Sequence, residues 1–295
     1  QAMPAPGSRS RPGHGRSRGM QVVMLCAEDG KLPVGAPPGA RPALLDGKPL
    51  RATLQWYVPP RRPYSRRELL ADRCVNFTGA GLAWLCAALL SLVSWLDGDP
   101  ALKQLGFLAH GMGLVIMLNC SAAYHHWCWD WALATRLYSL DHMGINAMIM
   151  GGYAPVMLHC RAYRVLVFVW VLGTIGFLLE AWKLRQGRSE DTNGRTAGWT
   201  FLDKLNLARY LLMGWAVLPA MPAVIQTLST PALVTACAGG LLYTGGVGFL
   251  LRARMEFHIA LWHVCVLGAS LGFYLVNLLE IAGSSRRVGG THVSA

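Results

Sequence analysis

Seven runs of apolar residues, most of them long enough to cross a bilayer, leave this chain few folds to choose from. They are Cys74–Leu96, Leu105–Trp129, Leu137–His159, Val165–Glu180, Tyr210–Leu228, Ala232–Leu251 and Ile259–Leu279. A spanning helix needs roughly 20 apolar residues, because the hydrocarbon core is about 30 Å thick. The fourth run is the shortest. Composition agrees with the runs: 53% of the 295 residues are hydrophobic and only 14% are charged, against about 25% charged in soluble domains. In lipid every backbone amide must be satisfied within the chain, and no barrel-type alternation occurs, so the runs are read as helices. Trp95, Trp127, Trp129, Trp131 and Trp182 stand at run ends, as an interfacial aromatic belt does. The expected fold is an all-α, multi-pass integral membrane bundle of seven helices.

A net charge of +12 would ordinarily raise the question of nucleic acid. Here the arginines lie in the N-terminal tail and in short loops, which suits a membrane surface and argues against a nucleic-acid partner. With the N-terminus placed in the cytoplasm, one face holds thirteen basic residues, among them Arg61, Arg62, Arg66, Arg67, Arg136, Lys183, Lys204, Arg252 and Arg254. The other face holds five: Lys103, Arg161, Arg164, Arg286 and Arg287. That bias predicts an N-in, C-out orientation. Residues 1–70 are rich in Pro, Gly and Arg and read as a disordered basic tail. The acid-free first twenty residues resemble a transit peptide faintly. Residues 71–281 form the membrane domain and 282–295 a short flexible tail. Of the eight cysteines, Cys74, Cys86, Cys120, Cys160, Cys237 and Cys265 lie in or beside apolar runs with no CxxC pair, so they read as small core residues.

Ionisable groups inside a bilayer cost about 2.5–3.5 kcal/mol each on insertion scales, so the few present are suspects for function. The second run carries His125 near its inner end, the third carries Asp141 and His142 near its start, and the seventh carries His263 about one turn in. Three helices distant in sequence thus bring His, Asp and His to one depth near the cytoplasmic face. Ser121 is four residues before His125 and shares its helix face. Imidazoles beside a carboxylate make a plausible zinc site, with a water activated at the open coordination position and Asp141 orienting it or accepting its proton. The competing reading is that these groups hydrogen-bond between helices and hold the bundle together. His126 points about 100° away from His125 on an ideal helix. His110, near the opposite end of the second run, reads as an interfacial or packing residue.

Several motifs resemble one family. Ser121-Ala122-Ala123-Tyr124-His125 resembles the SxxYH of hemolysin III-like proteins, the group that includes the progestin and adiponectin receptors. Leu140-Asp141-His142-Met143-Gly144-Ile145, running on to Gly151-Gly152-Tyr153-Ala154-Pro155, resembles their LDHxGI and GxYxP. Met213-Gly214-Trp215, Gly239-Gly240-Leu241-Leu242-Tyr243 and Leu261-Trp262-His263 resemble the motifs of the fifth, sixth and seventh spans. The resemblance covers roughly residues 70–280. It implies a seven-helix bundle with zinc near the cytoplasmic face, held by His125 and His263 with Asp141 nearby. Through the alkaline ceramidases of the wider superfamily, it also implies hydrolysis of a lipid amide, with Asp141 and Ser121 as the catalytic side chains.

The chain departs from that pattern at the third ligand. The family's seventh span reads HxxxH, whereas Ile259 stands four residues before His263, and His258 stands five before. Five residues is about 140° around an ideal helix, so His258 would need a π-bulge to join the site. Alternatively zinc is held with fewer protein ligands, helped by His126, His142 or Asp141, or the metal has been lost. The first-span ExxNxxxH is partial: Asn76 is present, with Arg73 and Ala80 at the other positions. Two functions follow: a zinc-dependent lipid amide hydrolase, or a non-enzymatic receptor or lipid-homeostasis protein with a degraded metal site. A pore-forming cytolysin is a weaker third. Membrane lipids and a lipid or small-molecule ligand are the expected partners.

Overall fold

A computed structural model of the chain describes residues 64–127, 131–185, 201–252 and 254–282, together with the backbone at 44–45 and 48–49. The basic tail before Tyr64, Arg188, Arg195, Trp129 and the C-terminal tail lie outside the described residues. An N-terminal unit, residues 1–51, contains a short antiparallel ladder of β1 (Leu44–Leu45) and β2 (Lys48–Pro49).

The second unit is helical: α1 (Arg66–Leu96), α2 (Ala101–Trp127), α3 (Trp131–His159), α4 (Tyr163–Arg185), α5 (Phe201–Gly214), α6 (Met221–Thr227), α7 (Thr230–Leu250) and α8 (His258–Val276). A 3-10 turn, Leu218–Ala220, lies between α5 and α6, and a π turn, Asn277–Ile281, extends α8. Six stretches are long and apolar enough to cross a membrane: α1, α2, α4, Lys204–Thr227 across the α5–α6 break, α7, and α8 with its π turn. The α3 helix, at 29 residues, is long enough but less apolar, and it carries Asp141, His142 and Asn146.

The side-chain distribution is inverted relative to a water-soluble globule. Asp72, Asn76, Asp141, His142, Asn146, Glu180, Arg209 and His263 are buried, while Trp84, Leu85, Val167, Leu178, Val234 and Leu241 face outward. An exterior this apolar marks a lipid-facing surface. The chain is an integral multi-pass membrane protein.

Local chemistry sets the helix limits. The α1 helix starts at Arg66, earlier than the apolar run suggests, because Ser65 and Glu68 form a capping box: Glu68 N–H donates to Ser65 Oγ at 3.2 Å, and Ser65 N–H to Glu68 Oε2 at 2.8 Å. The other Glu68 oxygen accepts from Phe257 N–H at 3.0 Å, tying this end of α1 to the start of α8. That end, where α1 and α8 begin, is termed proximal.

The α2 and α3 helices lie in close antiparallel contact because glycine lines their seam. A Cβ at Gly113 would stand 2.6 Å from Ala147 O, and one at Gly144 would stand 2.8 Å from Met117 Cα. At Gly151 it would strike the Ala109 carbonyl. Small residues that let backbones approach are the usual device for packing helices in lipid.

The fifth run is not one helix. Pro219 and Pro222 remove ladder donors, and the α-helix stops at Gly214. Irregular backbone at membrane depth needs partners inside the protein. Tyr153 of α3 supplies them: its hydroxyl donates to Gly214 O at 2.7 Å and accepts from Val217 N–H at 3.1 Å.

Candidate functional site

The proximal end of the bundle gathers three imidazoles around one carboxylate. Asp72 lies in the second turn of α1, on the same face as Glu68 and Asn76. His263, in the second turn of α8, donates from Nδ1 to Asp72 Oδ1 at 2.6 Å. The last turn of α2 brings His125 Nδ1 to 3.8 Å and His126 Nε2 to 3.9 Å from Asp72 Oδ2. The His125 and His263 rings meet edge to face with centroids 4.7 Å apart. Asn76 Nδ2 donates to the Asp72 backbone carbonyl at 3.0 Å and to Asp72 Oδ1 at 3.2 Å, which holds the carboxylate in place. Because Nδ1 of His263 carries the proton shared with Asp72, Nε2 is the unprotonated nitrogen of the neutral ring.

The two adjacent histidines divide as helix geometry predicts. His125 lines the central cavity, whereas His126 turns toward α1 and stacks on Phe77 at 5.4 Å. His126 Nε2 is buried and has no hydrogen-bond partner. An unpaired buried polar atom costs about 1–3 kcal/mol.

Asp141 and Ser121 are buried and line the cavity with His125 and His263. His142 is bound back to its own helix, its Nδ1 donating to Tyr138 O at 2.9 Å. His258 takes another course. It is the first residue of α8, after Phe257 in the left-handed region (φ 58°), and the π turn lies at the opposite end of that helix. Tyr64 donates to His258 Nε2 at 3.3 Å, and His258 Nδ1 donates to Met255 O at 3.2 Å. The structure therefore brings His125, His263, Asp141 and Ser121 to one cavity and gives His258 a separate set of contacts.

Asp72 escaped the sequence reading. It lies before Cys74, among arginines, and a pattern asking for an acid three residues before Asn76 meets Arg73. The signal was the four-residue spacing of Glu68, Asp72 and Asn76, which puts an acidic and amide stripe on one helix face. A second buried group was also missed. Arg209 Nη1 donates to Asn146 Oδ1 at 2.5 Å and to Leu172 O at 3.1 Å, and its Nη2 donates to Asn206 Oδ1 at 2.9 Å. Asn206 and Lys183 both donate to Glu180 Oε1, at 2.8 and 2.7 Å. This network joins α3, α4 and α5, and the missing side chain at Gly176 leaves room for the guanidinium.

The cavity has a volume of about 520 Å³ and runs from the polar cluster toward the other end of the bundle between mostly apolar walls. Trp215, Leu218 and Leu241 both line it and face outward, so it opens sideways between the α5–α6 break and α7. Trp215 Nε1 donates across that gap to Thr244 Oγ1 at 3.2 Å. His110 also lines the cavity and is buried inside the bundle.

The donors suit a borderline divalent ion such as zinc in kind: imidazole nitrogens, one of them without a partner, and carboxylate oxygens. Among the described residues, no three such side chains surround a common point as ready-made ligands. They are arranged as a hydrogen-bonded cluster on Asp72.

Fold and site together define a polytopic helical membrane protein with a buried His/Asp cluster at one end of a long, mostly apolar cavity. The sequence profile of the Haemolysin-III related family matches residues 76–274, and the chain belongs to that family. It is 28% identical over 223 residues to Hemolysin-3 of Bacillus cereus, an alignment covering 73% of this chain and 92% of that relative. It is also 28% identical over 143 residues to the Hemolysin-3 homolog of Bacillus subtilis (strain 168), covering 47% of this chain and 60% of that protein.

Proposed function

We propose that this protein is a zinc-dependent hydrolase of lipid amide bonds, working at the proximal end of the cavity. The observation that carries the reading is the convergence of His125, His126 and His263 on Asp72 beside Asp141 and Ser121, where a long apolar cavity ends. His125, His263 and Asp72 would hold the ion, with His126 beside them. When bound, zinc supplies Lewis acidity toward a carbonyl and toward water.

The chain's own residues do the rest. Asp72 fixes the His263 tautomer through Nδ1 and so keeps Nε2 available. Asp141 takes the proton of the attacking water as general base and returns it to the leaving amine. Ser121 donates its hydroxyl to the substrate's polar group. The apolar walls hold the acyl chain and exclude bulk water, which strengthens each polar interaction at the reacting end. The side opening between α5–α6 and α7 admits a lipid from the bilayer. We also take α3 as a seventh span and the proximal end as cytoplasmic. The antiparallel seam of α3 with α2 supports the first assignment, and the basic residues Arg66, Arg67, Arg73, Lys183 and Arg252 support the second.

The test is zinc per chain by mass spectrometry on protein purified in mild detergent without chelator, beside His125→Ala, His263→Ala and Asp72→Asn. Near-stoichiometric zinc in the wild type, lost in both histidine variants, supports the reading. Asp72→Asn is expected to weaken zinc binding at least ~10–100-fold, the effect of losing even a carboxylate that only orients a ligand. Release of fatty acid from ceramide is then the activity readout. Well-folded protein without zinc sinks the hydrolase.

One observation favours a second reading, a lipid-binding receptor or lipid-homeostasis protein without catalysis. Asp72 and His263 satisfy each other directly, and both His258 nitrogens are engaged outside the cavity. Retained acyl-chain binding in zinc-free protein would select it. Dye leakage from liposomes at low protein concentration would instead revive the cytolysin.

A further inference from the structure

The cavity has a polar wall far from the Asp72 cluster. His110 lies on α2 roughly 22 Å from His125 at 1.5 Å of rise per residue. It packs where α2 meets Gly151 of α3, and its imidazole lines the cavity. The ring is buried, and neither of its nitrogens has a hydrogen-bond partner. Met157, Val224, Leu228 and Val276 line the cavity as well and belong to one apolar cluster, and none of their side chains offers an N–H or O–H. The space that adjoins the ring is the cavity itself. A neutral imidazole has one N–H and one lone pair, so a single hydroxyl can donate to it or accept from it.

We propose that this end of the cavity recognises a hydroxyl at the far end of a long acyl chain. The ligand is an ω-hydroxylated acyl lipid: its carbonyl end lies among Asp141, His125 and His263, and its terminal hydroxyl meets His110. The spacing between the two polar ends corresponds to an extended chain of the length common in membrane lipids. A site built to hydrogen-bond a hydroxyl discriminates against the analogue that lacks it, because the buried partner is then left unpaired. The proposal rests on the reading that the cavity takes an acyl chain, and it does not require hydrolysis.

The experiment measures binding of palmitate and ω-hydroxypalmitate to the full chain in detergent, by displacement of radiolabelled palmitate. The expected result is binding of both, with the ω-hydroxy acid about tenfold tighter, the worth of one or two well-made hydrogen bonds. Moving the hydroxyl to mid-chain should abolish the gain, a comparison that needs only wild-type protein. In His110→Leu the two acids should bind alike, with palmitate affinity unchanged or improved. Equal binding of the two acids by the wild type overturns this inference alone and leaves His110 satisfied by internal water. A preference that survives in His110→Leu also overturns it. Failure of either acid to bind overturns both this inference and the acyl-chain reading of the cavity.

Discussion

At the scale of single residues, the polar groups fall into two sets with different duties. The Asp72 cluster faces a cavity, whereas the Arg209–Glu180 network lies among three helices. The network therefore predicts a stability effect. Arg209→Leu leaves Asn146 Oδ1 and the oxygen of Asn206, the amide that holds Glu180, without their donor in a low-dielectric interior, and losing one member of a buried ion network costs about 3–5 kcal/mol. The thermal midpoint in detergent should drop by several degrees or more, and Arg209→Leu with Glu180→Gln should recover part of the loss. A double variant less stable than the single would contradict the coupling. Little of this was legible beforehand. Arg209 reads as a loop cation just before an apolar run, and Glu180 as the end of another. Spacing along the chain does not show that Asn206 joins them across space. His125, His263 and Asp141 stood out in the sequence because ionisable side chains inside apolar runs are few and costly.

At the scale of elements, the broken fifth span depends on Tyr153. Its hydroxyl serves Gly214 O and Val217 N–H, two backbone groups in the stretch where the helical ladder is broken. Tyr153→Phe removes both bonds and should destabilise by about 1–3 kcal/mol, the net worth of two hydrogen bonds. Amide exchange measured by mass spectrometry should rise in residues 214–220 and not in α1 or α2. Uniform protection would show that water or another group serves that backbone. The prolines made the break readable in sequence. The partner was not, since Tyr153 looks like one aromatic residue in an apolar run. The α3 and α5 helices begin six and nine residues before their runs, whereas helix ends were legible to within a residue where apolar runs stop, at Leu96, His159 and Leu250. The start of α1 was not, because a capping box carried the helix back through charged residues to Arg66.

At the scale of the whole molecule, the alternation of helices places the α1–α2 and α3–α4 connections at the end opposite the Asp72 cluster. Single cysteines introduced at Gly98 and Arg161, in a chain with its native cysteines replaced, should react with a membrane-impermeant maleimide added outside. One at Arg136, near the start of α3, should react only after permeabilisation. Labelling of Arg136→Cys from outside would refute the N-in orientation, and outside access at Gly98 and Arg161 together with protection at Arg136 would show that α2 and α3 both cross. The glycine seam has one more consequence. Its facing pairs, Gly113 with Ala147, Gly144 with Met117 and Gly151 with Ala109, have residue numbers summing to 260, 261 and 260. The constant sum makes the seam a ruler that fixes the register of α3 against α2 over about two turns of each helix. It holds Asp141 level with Asn119 and Cys120, beside Ser121 and about one and a half turns from His125. The site's two halves are therefore aligned by backbone contacts that begin about one turn from Asp141 and run away from it to Gly151. Deleting one residue of α3 between Gly144 and Gly151 would throw the notches out of step without changing any group that does chemistry.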